Sequence, residues 1–201
     1  LHSLKGERLR ISIPNEEEAR RYESELINAD YKVAEVQKRD RKQRPSAPFT
    51  TSTMQQEAGR KLRFTAQRTM AVAQQLYEGL SVGDDGPVGL ITYMRTDSTQ
   101  VADSALAEVR SYIQERYSKD YLPSKPKVYA RASKGAQEAH EAVRPTSIRR
   151  DPVSLKDYLS GDQLNLYTLI WSRMLASQME DASSEATTLN IDAVCNESGN
   201  I

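Results

Sequence analysis

The sequence contains one cysteine, Cys195, and two histidines in 201 residues. A single thiol excludes an internal disulfide framework and any zinc site built from several thiolates. No apolar run approaches the roughly 20 residues that a membrane-spanning helix requires, so no membrane partner is expected. The first residues, Leu1-His2-Ser3, precede a charged stretch and do not resemble a signal peptide. A reducing, cytoplasmic setting is therefore the expectation.

The chain also lacks net charge, because 28 basic residues balance 28 acidic ones, and its overall charge indicates no nucleic-acid partner. The local distribution is uneven. Residues 32–70 carry ten cations against three acids, whereas the segment from Trp171 onward carries five acids and one arginine. A basic surface is expected from the first third of the chain. The alternative is a basic linker that stays solvated.

Periodicity and turn residues predict both strands and helices. Strands are predicted over 9–13, 31–36 and 186–194, and residues 90–94 are strand-like. Helices are predicted from Pro14 to about Ile27, over 51–62, from Thr65 to near Gly79, and over 101–117, 136–143 and 164–175. A basic, proline-broken connector is predicted over 38–48, and loops over 81–86 and 121–133.

Two short helices and a following strand, in residues 51–94, resemble a winged helix. This signal is weak alone, because helix pairs are common and the predicted turn at 63–65 lacks a glycine. The chain has no initiator methionine and stops just after a predicted strand. It is therefore expected to be a piece of a longer protein.

The segment Gly89–Ser98, with the sequence GLITYMRTDS, combines the groups that attack on a phosphodiester needs. Arg95 follows Tyr93 by two residues, so in a strand the two side chains share a face. A phenol has an ordinary pKa of roughly 10 and needs a nearby cation or metal to become a nucleophile. Because phenolate is a better leaving group than alkoxide, a sugar hydroxyl could displace the tyrosine from a phosphotyrosine link. Tyr93 with Arg95 therefore suits a reaction that breaks a nucleic-acid strand and then reseals it. The alternative is an ordinary core or interface aromatic, because the chain has ten tyrosines.

A second cluster occupies residues 137–146, with the sequence QEAHEAVRPT. His140-Glu141 invites comparison with the zinc-protease helix, but Arg144 stands where that motif needs a second histidine, so no metal site is predicted. The preferred interpretation is phosphate handling, with Arg144 as a charge clamp and His140 as a hydrogen-bond donor or proton carrier. The alternative is a solvated helix face.

A third cluster, residues 52–61, places amides, hydroxyls and cations near the start of a predicted helix. Such groups are good contacts for phosphates and sugars, although an ordinary capped helix explains them equally well. The clustered acids that would hold a divalent metal are missing, because the sequence has no Asp-x-Asp-x-Glu motif.

Four segments, residues 49–58, 69–79, 89–98 and 138–146, together resemble the bacterial DNA topoisomerase I branch of the type IA topoisomerase family. The flanks fit from about Ile11 to Val194. The resemblance implies that Tyr93 attacks one DNA strand to form a 5′-phosphotyrosine link, that Arg95 positions the scissile phosphate and that His140 assists. The residues expected to contact DNA are Gln55, Gln56, Arg60, Thr96, Asp97, Ser98 and Arg144.

The same resemblance implies an α+β, multi-domain fragment. Residues 51–180 would form a mainly helical, winged-helix-like domain that carries the nucleophile. Residues 1–50 and 181–201 would belong to a β-rich hinge domain with an antiparallel sheet.

The resemblance further implies that the intact enzyme relaxes negative supercoils without ATP. Its substrate would be single-stranded or negatively supercoiled DNA in the nucleoid. Its Mg²⁺ would be bound by a Toprim domain. Nothing in this sequence matches the Toprim domain or the toroid domains of the family. The isolated chain is expected to be inactive. The alternatives are a non-catalytic winged-helix module that binds nucleic acid and a structural scaffold for a partner.

Overall fold

The chain forms two units, and one of them is built from both the first and the last part of the chain. The computed structural model describes residues 13–83, 86–129, 141–195 and 199–200. The described residues up to Lys42 and from Ser183 onward form unit 1, and Gln43–Ala182 forms unit 2. The structure thus divides the chain after residue 42, whereas the sequence-based division was after residue 50. The strand predicted over 9–13 lies almost wholly outside the described residues.

Unit 1 contains helix α1 (Glu16–Ile27) and a sheet in the order β1 (Asp30–Gln43), β4 (Ala182–Cys195) and β5 (Gly199–Asn200). The Asn15 side chain caps α1 by accepting a 2.8 Å hydrogen bond from the Glu18 amide. The helix predicted from Pro14 to Ile27 is therefore confirmed. Strands β4 and β5 pair antiparallel.

Strand β1 is longer than the sequence indicated. The prediction ended the strand at residue 36 and made 38–48 a connector, but β1 continues to Gln43. Cross-strand contacts of Lys38 with Glu185 and of Asn190 with Glu35 link it to β4. Nearly every side chain of β1 is exposed. Because pairing along the strand, and not burial, defines this part of β1, the hydrophobic pattern could not reveal it.

The described part of unit 2 contains four α-helices, α2 (Thr51–Leu62), α3 (Ala66–Glu78), α4 (Asp103–Arg116) and α5 (Gly161–Ser177), and a short 3₁₀ helix (Lys119–Tyr121). Helices α2, α3 and α5 pack against one another. Thr50 forms a reciprocal capping box with Thr53 at the start of α2, and Thr65 caps α3. The prediction had put the first cap among residues 51–53, one residue late, whereas the Thr65 cap is confirmed.

The core of unit 2 centres on α5, which contributes a buried face at helical spacing. Two of its aromatic side chains also bond to the backbone that precedes the helix. The Trp171 indole donates to the Ile148 carbonyl at 2.8 Å, and the Tyr167 hydroxyl donates to the Arg150 carbonyl at 2.6 Å. These bonds satisfy the polar ends of large buried rings, so residues 148–150 are fixed against α5.

A small hairpin follows α3. Gly79 ends the helix with a positive φ of 117°, which an L side chain rarely adopts. Strand β2 (Leu80–Ser81) then pairs antiparallel with β3 (Pro87–Val88). The strand-like stretch predicted at 90–94 is wrong as a strand, since its regular pairing is limited to an isolated bridge between Ile91 and Pro145.

Helix α4 confirms the predicted helix at 101–117, and its buried residues are among those predicted to point inward. The predicted helix at 136–143 finds no support in its described part: residues 136–140 lie outside the described residues, and Glu141–Val143 is not helical. Instead, Val143 bridges to Phe49, and its amide donates to the Phe49 carbonyl at 2.7 Å. Among the described helices, none is long and apolar enough to cross a bilayer.

Candidate functional site

The segment Gly89–Ser98 is held by backbone hydrogen bonds on two sides. On one side the Leu90 amide donates to the Leu76 carbonyl at the end of α3, at 2.7 Å. On the other side the Thr92 amide donates to the Arg144 carbonyl at 2.9 Å. The Thr92 hydroxyl adds a 2.7 Å bond to the Ala142 carbonyl. Segments that are distant in sequence are thereby fixed around the candidate tyrosine.

The first turn of α2 fixes the other end of this segment. The Thr51 hydroxyl donates to the Met94 carbonyl at 2.6 Å and accepts from the Thr96 amide at 2.8 Å. The Thr51 amide also donates to the Thr96 carbonyl at 2.8 Å. Thr51 therefore supplies hydrogen-bond partners that a neighbouring strand would otherwise supply. This explains how an irregular backbone is held without regular strand pairing.

Alternate side chains of the segment point outward. Tyr93 is 41% exposed, and Arg95 and Asp97 are also exposed, whereas Met94 is fully buried between them. Burial of the intervening residue anchors the backbone from which the exposed side chains project. The structure thus leaves both the phenol and the guanidinium exposed. The shared face had been expected in a strand, whereas this stretch has an irregular backbone.

The Tyr93 ring packs against another exposed tyrosine. Its centroid lies 5.4 Å from that of Tyr77, at an interplanar angle of 62°. Such edge-on contacts orient a ring without enclosing it. Tyr77 had been expected on the buried face of α3, but it is 40% exposed, and Val72 is buried in that helix. Periodicity did not identify Tyr77 as a neighbour of the candidate nucleophile.

Thr96 and Ser98 are both buried, each with 7% of its surface exposed. The Thr96 hydroxyl accepts from the Ser98 amide at 3.0 Å, and the Ser98 hydroxyl accepts from the Gln100 amide at 3.1 Å. The hydroxyls are therefore used in a local turn. Of the predicted Thr96-Asp97-Ser98 trio, Asp97 alone is exposed, and the expected DNA contacts of the other two stay a prediction.

The predicted contacts on α2 remain accessible to different degrees. Gln55 is half-buried, Gln56 is exposed and bonds to the Ser52 hydroxyl at 3.0 Å, and Arg60 is exposed. Arg60 forms a 2.9 Å ion pair with Glu57. Glu57 was not among the predicted site residues, although its place three residues before Arg60 suits a helical ion pair.

Arg144 is engaged within the protein. Its side chain is 12% exposed and forms an ion pair with Glu141 at 2.5 Å. It also donates to the Pro145 carbonyl at 3.0 Å, and Glu141 accepts from the Ala102 amide at 3.0 Å. The Glu141 carboxylate thus connects residues 141–145 to the start of α4, and Arg144 pairs with that carboxylate. His140 lies outside the described residues, so its predicted proximity to Tyr93 stays a prediction.

A family model described as DNA topoisomerase matches residues 3–200 of the chain. The chain belongs to this DNA topoisomerase family. DNA topoisomerase 1 of Xylella fastidiosa (strain Temecula1) is 52% identical over 161 residues, which cover 80% of this chain and 20% of that protein. DNA topoisomerase 1 of Helicobacter pylori (strain 26695) is 47% identical over 190 residues, covering 94% and 26%.

The fold agrees with a solved topoisomerase structure. Full-length topoisomerase I from Thermotoga maritima superposes with a TM-score of 0.73 at 39% identity, over 90% of this chain and 28% of that one. The resemblance to bacterial DNA topoisomerase I is therefore confirmed. The topoisomerase chain spans about a fifth to a quarter of the length of these curated relatives.

Metal binding was not predicted for this topoisomerase segment. Within residues 13–83, 86–129 and 141–195, the structure contains no group of three or more His, Cys, Asp or Glu side chains that could hold a metal ion. The described residues therefore offer no set of ligands that fits the Mg²⁺ implied by the resemblance.

Proposed function

We propose that this chain carries the nucleophile of a type IA DNA topoisomerase, with the Tyr93 phenol oxygen as the attacking atom. The observation that carries the proposal is the exposure of Tyr93 beside an exposed arginine, on a segment that is anchored on both sides by hydrogen bonds. A nucleophile needs an exposed side chain and a fixed backbone, and Tyr93, 41% exposed on this anchored segment, has both.

The chemistry is a transesterification. The Tyr93 oxygen forms a bond to phosphorus as the phenolic proton leaves, and the bond from phosphorus to the neighbouring 3′ oxygen breaks as that oxygen takes up a proton. The product is a 5′-phosphotyrosine link and a free 3′ hydroxyl. Resealing is the reverse: the 3′ oxygen attacks phosphorus, loses its proton and displaces the phenolate. Each step exchanges one phosphodiester for another, so no ATP is needed.

Arg95 is assigned to the scissile phosphate, because a guanidinium can hold two phosphate oxygens at once. His140 is assigned a role near the same phosphate by the family resemblance. Of the remaining predicted contacts, Gln55, Gln56, Arg60 and Asp97 keep accessible polar groups. For Thr96, Ser98 and Arg144 we propose positioning roles, since their polar groups are bonded within the protein.

A winged-helix architecture fits the central elements. Helix α2, the three-residue connection 63–65, helix α3 and the β2–β3 hairpin follow one another in the order of that motif. Arg63 ends α2 in the left-handed region with φ of 60°, so the tight turn forms without glycine. This order also supports the second candidate function, a module that binds nucleic acid without cleaving it.

The remaining parts of the proposal concern the intact polypeptide. Its Toprim domain would bind Mg²⁺, its toroid domains would hold the passing strand, and its substrate would be single-stranded or negatively supercoiled DNA of the nucleoid. The isolated 201-residue chain would bind DNA weakly and would not relax it.

Substitution of Tyr93 by phenylalanine tests the nucleophile. In the intact polypeptide with magnesium, we expect the Tyr93→Phe variant to form no covalent DNA–protein adduct while still binding oligonucleotide. The matched control is Tyr158→Phe, which removes a hydroxyl from another exposed tyrosine and should leave adduct formation unchanged. Adduct formed by the Tyr93→Phe protein would refute the assignment. A wild-type polypeptide that binds oligonucleotide but forms no adduct would favour the non-catalytic alternative.

A further inference from the structure

A groove outside the Tyr93 segment runs along unit 2 between residues 45–48, α2 and α5. It consists of two adjoining cavities of about 270 and 350 Å³, and both are lined by Ser46, Glu57 and Arg173. The remaining lining side chains include hydroxyls, an amide and two further cations: Thr53, Gln56, Arg60, Lys61 and Ser172. The groove is thus concave and carries hydroxyls, an amide and more cations than acids.

One carboxylate lies close to three cations in this groove. The Glu57 carboxylate lies 2.9 Å from the Arg60 guanidinium, 3.4 Å from the Lys61 ammonium and 3.6 Å from the Arg173 guanidinium. The hydrogen bond from Arg60, with help from Lys61, holds the pKa of Glu57 below its usual range, so the carboxylate stays charged. Glu57 is the sole acid among the described residues that line the two cavities. Positive charge is therefore in excess.

Arg173 is the fixed member of the three. Its guanidinium stacks over the Phe49 ring at 4.4 Å, and 18% of its side chain is exposed. Burial lowers the pKa of Arg173, because the charged form loses contact with water. The contact with Glu57 is longer than a good charge-assisted hydrogen bond, which is about 2.7–2.9 Å. A partly desolvated cation with a distant counter-ion is well suited to receive another anion.

We propose that this groove binds the phosphodiester backbone of single-stranded nucleic acid, with Arg173 as the fixed phosphate contact, Arg60 and Lys61 as adjustable contacts, and Glu57 as the counter-ion that the phosphate displaces. The proposal rests on the proposed function for its substrate class. It adds Arg173 and Lys61 to the binding residues and gives Glu57 an opposing role.

The distribution of cations favours a strand over a compact anion. Arg173 lines both cavities, and Arg60 and Lys61 line the larger one, so the groove offers cations at more than one point to a ligand with repeated charges. The uncharged hydroxyl and amide groups suit sugar and phosphate oxygens, which carry no sequence information. An acidic peptide is the competing ligand, and the experiment below separates the two.

Fluorescence anisotropy of the 201-residue chain with a labelled oligothymidylate tests the groove. Glu57→Gln should tighten binding about threefold to tenfold, because the displaced competitor is removed. The matched control is Glu115→Gln, which also frees a paired arginine, Arg149, away from the groove and should change affinity less than twofold. Equal effects of the two substitutions would overturn the proposal, as would an absence of binding by every variant.

The salt dependence supplies a second measurement that does not rely on Arg173, whose replacement could disturb the core. The double substitution Arg60→Gln and Lys61→Gln should reduce the slope of log K against log salt by about 0.7 for each phosphate that the protein no longer neutralises. Lys156→Gln, an exposed cation elsewhere, should leave the slope unchanged. An unchanged slope in the double variant would overturn the proposal, as would equal displacement of the oligonucleotide by oligoglutamate of matched charge. Neither result would affect the Tyr93 assignment, which is tested by adduct formation.

Discussion

At the scale of single residues, identity and environment give different information about Arg144. The sequence alone favoured a phosphate clamp, because an arginine beside His140 in a polar segment is suited to that role. The structure shows the guanidinium largely buried, bonded to Glu141 and to the Pro145 carbonyl. Since Glu141 also accepts from the Ala102 amide, the ion pair connects two segments of unit 2. A positive charge used in this way contributes first to stability.

Replacing Arg144 with glutamine should therefore destabilise the chain. We expect a loss of about 1.5–3 kcal/mol in the free energy of unfolding, the range for hydrogen bonds to charged groups, because Glu141 would be left half-buried without its cation. Denaturant titration followed by circular dichroism measures it. Arg149→Gln is the matched control: its pair with Glu115 is exposed on both sides, so its loss should destabilise the chain less than Arg144→Gln does.

The same substitution also tests the clamp expected from the sequence. A clamp predicts that oligonucleotide affinity or cleavage falls much more than stability, whereas a positioning role predicts the reverse. If the Arg144→Gln chain unfolds at the wild-type denaturant concentration but binds DNA far more weakly, the structural interpretation is wrong.

Hydroxyl-bearing residues illustrate why sequence reasoning about sites is incomplete. Thr96 and Ser98 have suitable chemistry for phosphate contact, but their hydroxyls accept amides in a local turn. Thr51 was expected only as a candidate helix cap, yet it holds Met94 and Thr96 in place. No periodic pattern distinguishes an exposed hydroxyl from one that replaces a strand partner, because that depends on contacts between distant segments.

At the scale of elements, local sequence signals were sufficient to predict the ends of a helix where capping residues define those ends. Thr65 and Gly79 bound α3 within a residue or two of the prediction, because capping and positive φ are local requirements. The prediction was poorer for β1 beyond residue 36 and for residues 141–143. In both places the conformation is set by pairing with another segment, with β4 in one case and with Phe49 in the other.

Close packing between the end of α3 and the Tyr93 segment depends on Gly89. A Cβ added there would lie 2.8 Å from the Tyr77 carbonyl oxygen, a backbone atom that cannot swing aside. Gly89→Ala should therefore push the segment away from α3 and cost about 1–3 kcal/mol of stability. Because Tyr77 also packs on the Tyr93 ring, the shift should reduce adduct formation in the intact polypeptide as well.

Gly161 provides the comparison for this substitution. It begins α5, and an added Cβ would meet no atom within 4 Å. Gly161→Ala should be neutral or stabilise by up to about 1 kcal/mol, because alanine favours a helix. Thermal unfolding of the two variants gives the comparison. Equal stability of Gly89→Ala and the wild type would show that the segment can relax at no cost.

At the scale of the whole molecule, the two units differ in how their helices are supported. Helices α3 and α5 of unit 2 both contribute buried residues to the same hydrophobic core. Helix α1 of unit 1 has no buried residue, and the β1 side chains are almost all exposed. A helix whose best-covered residues, such as Tyr22 and Leu26, are only half-buried depends more on its cap and on local ion pairs such as Arg20–Glu16, which contribute little in water.

Amide hydrogen exchange should separate these helices. We expect peptides from α5 to be protected about 100-fold or more beyond those from α1, equivalent to about 2.8 kcal/mol in opening free energy. Both helices are capped by a side-chain oxygen, Asn15 for α1 and Ser160 for α5, so capping cannot explain a difference between them. Exchange detected by proteolysis and mass spectrometry provides the measurement. Equal protection of α1 and α5 would contradict the expectation, unless that of α1 falls on dilution, which would show that a second copy of the chain covers it.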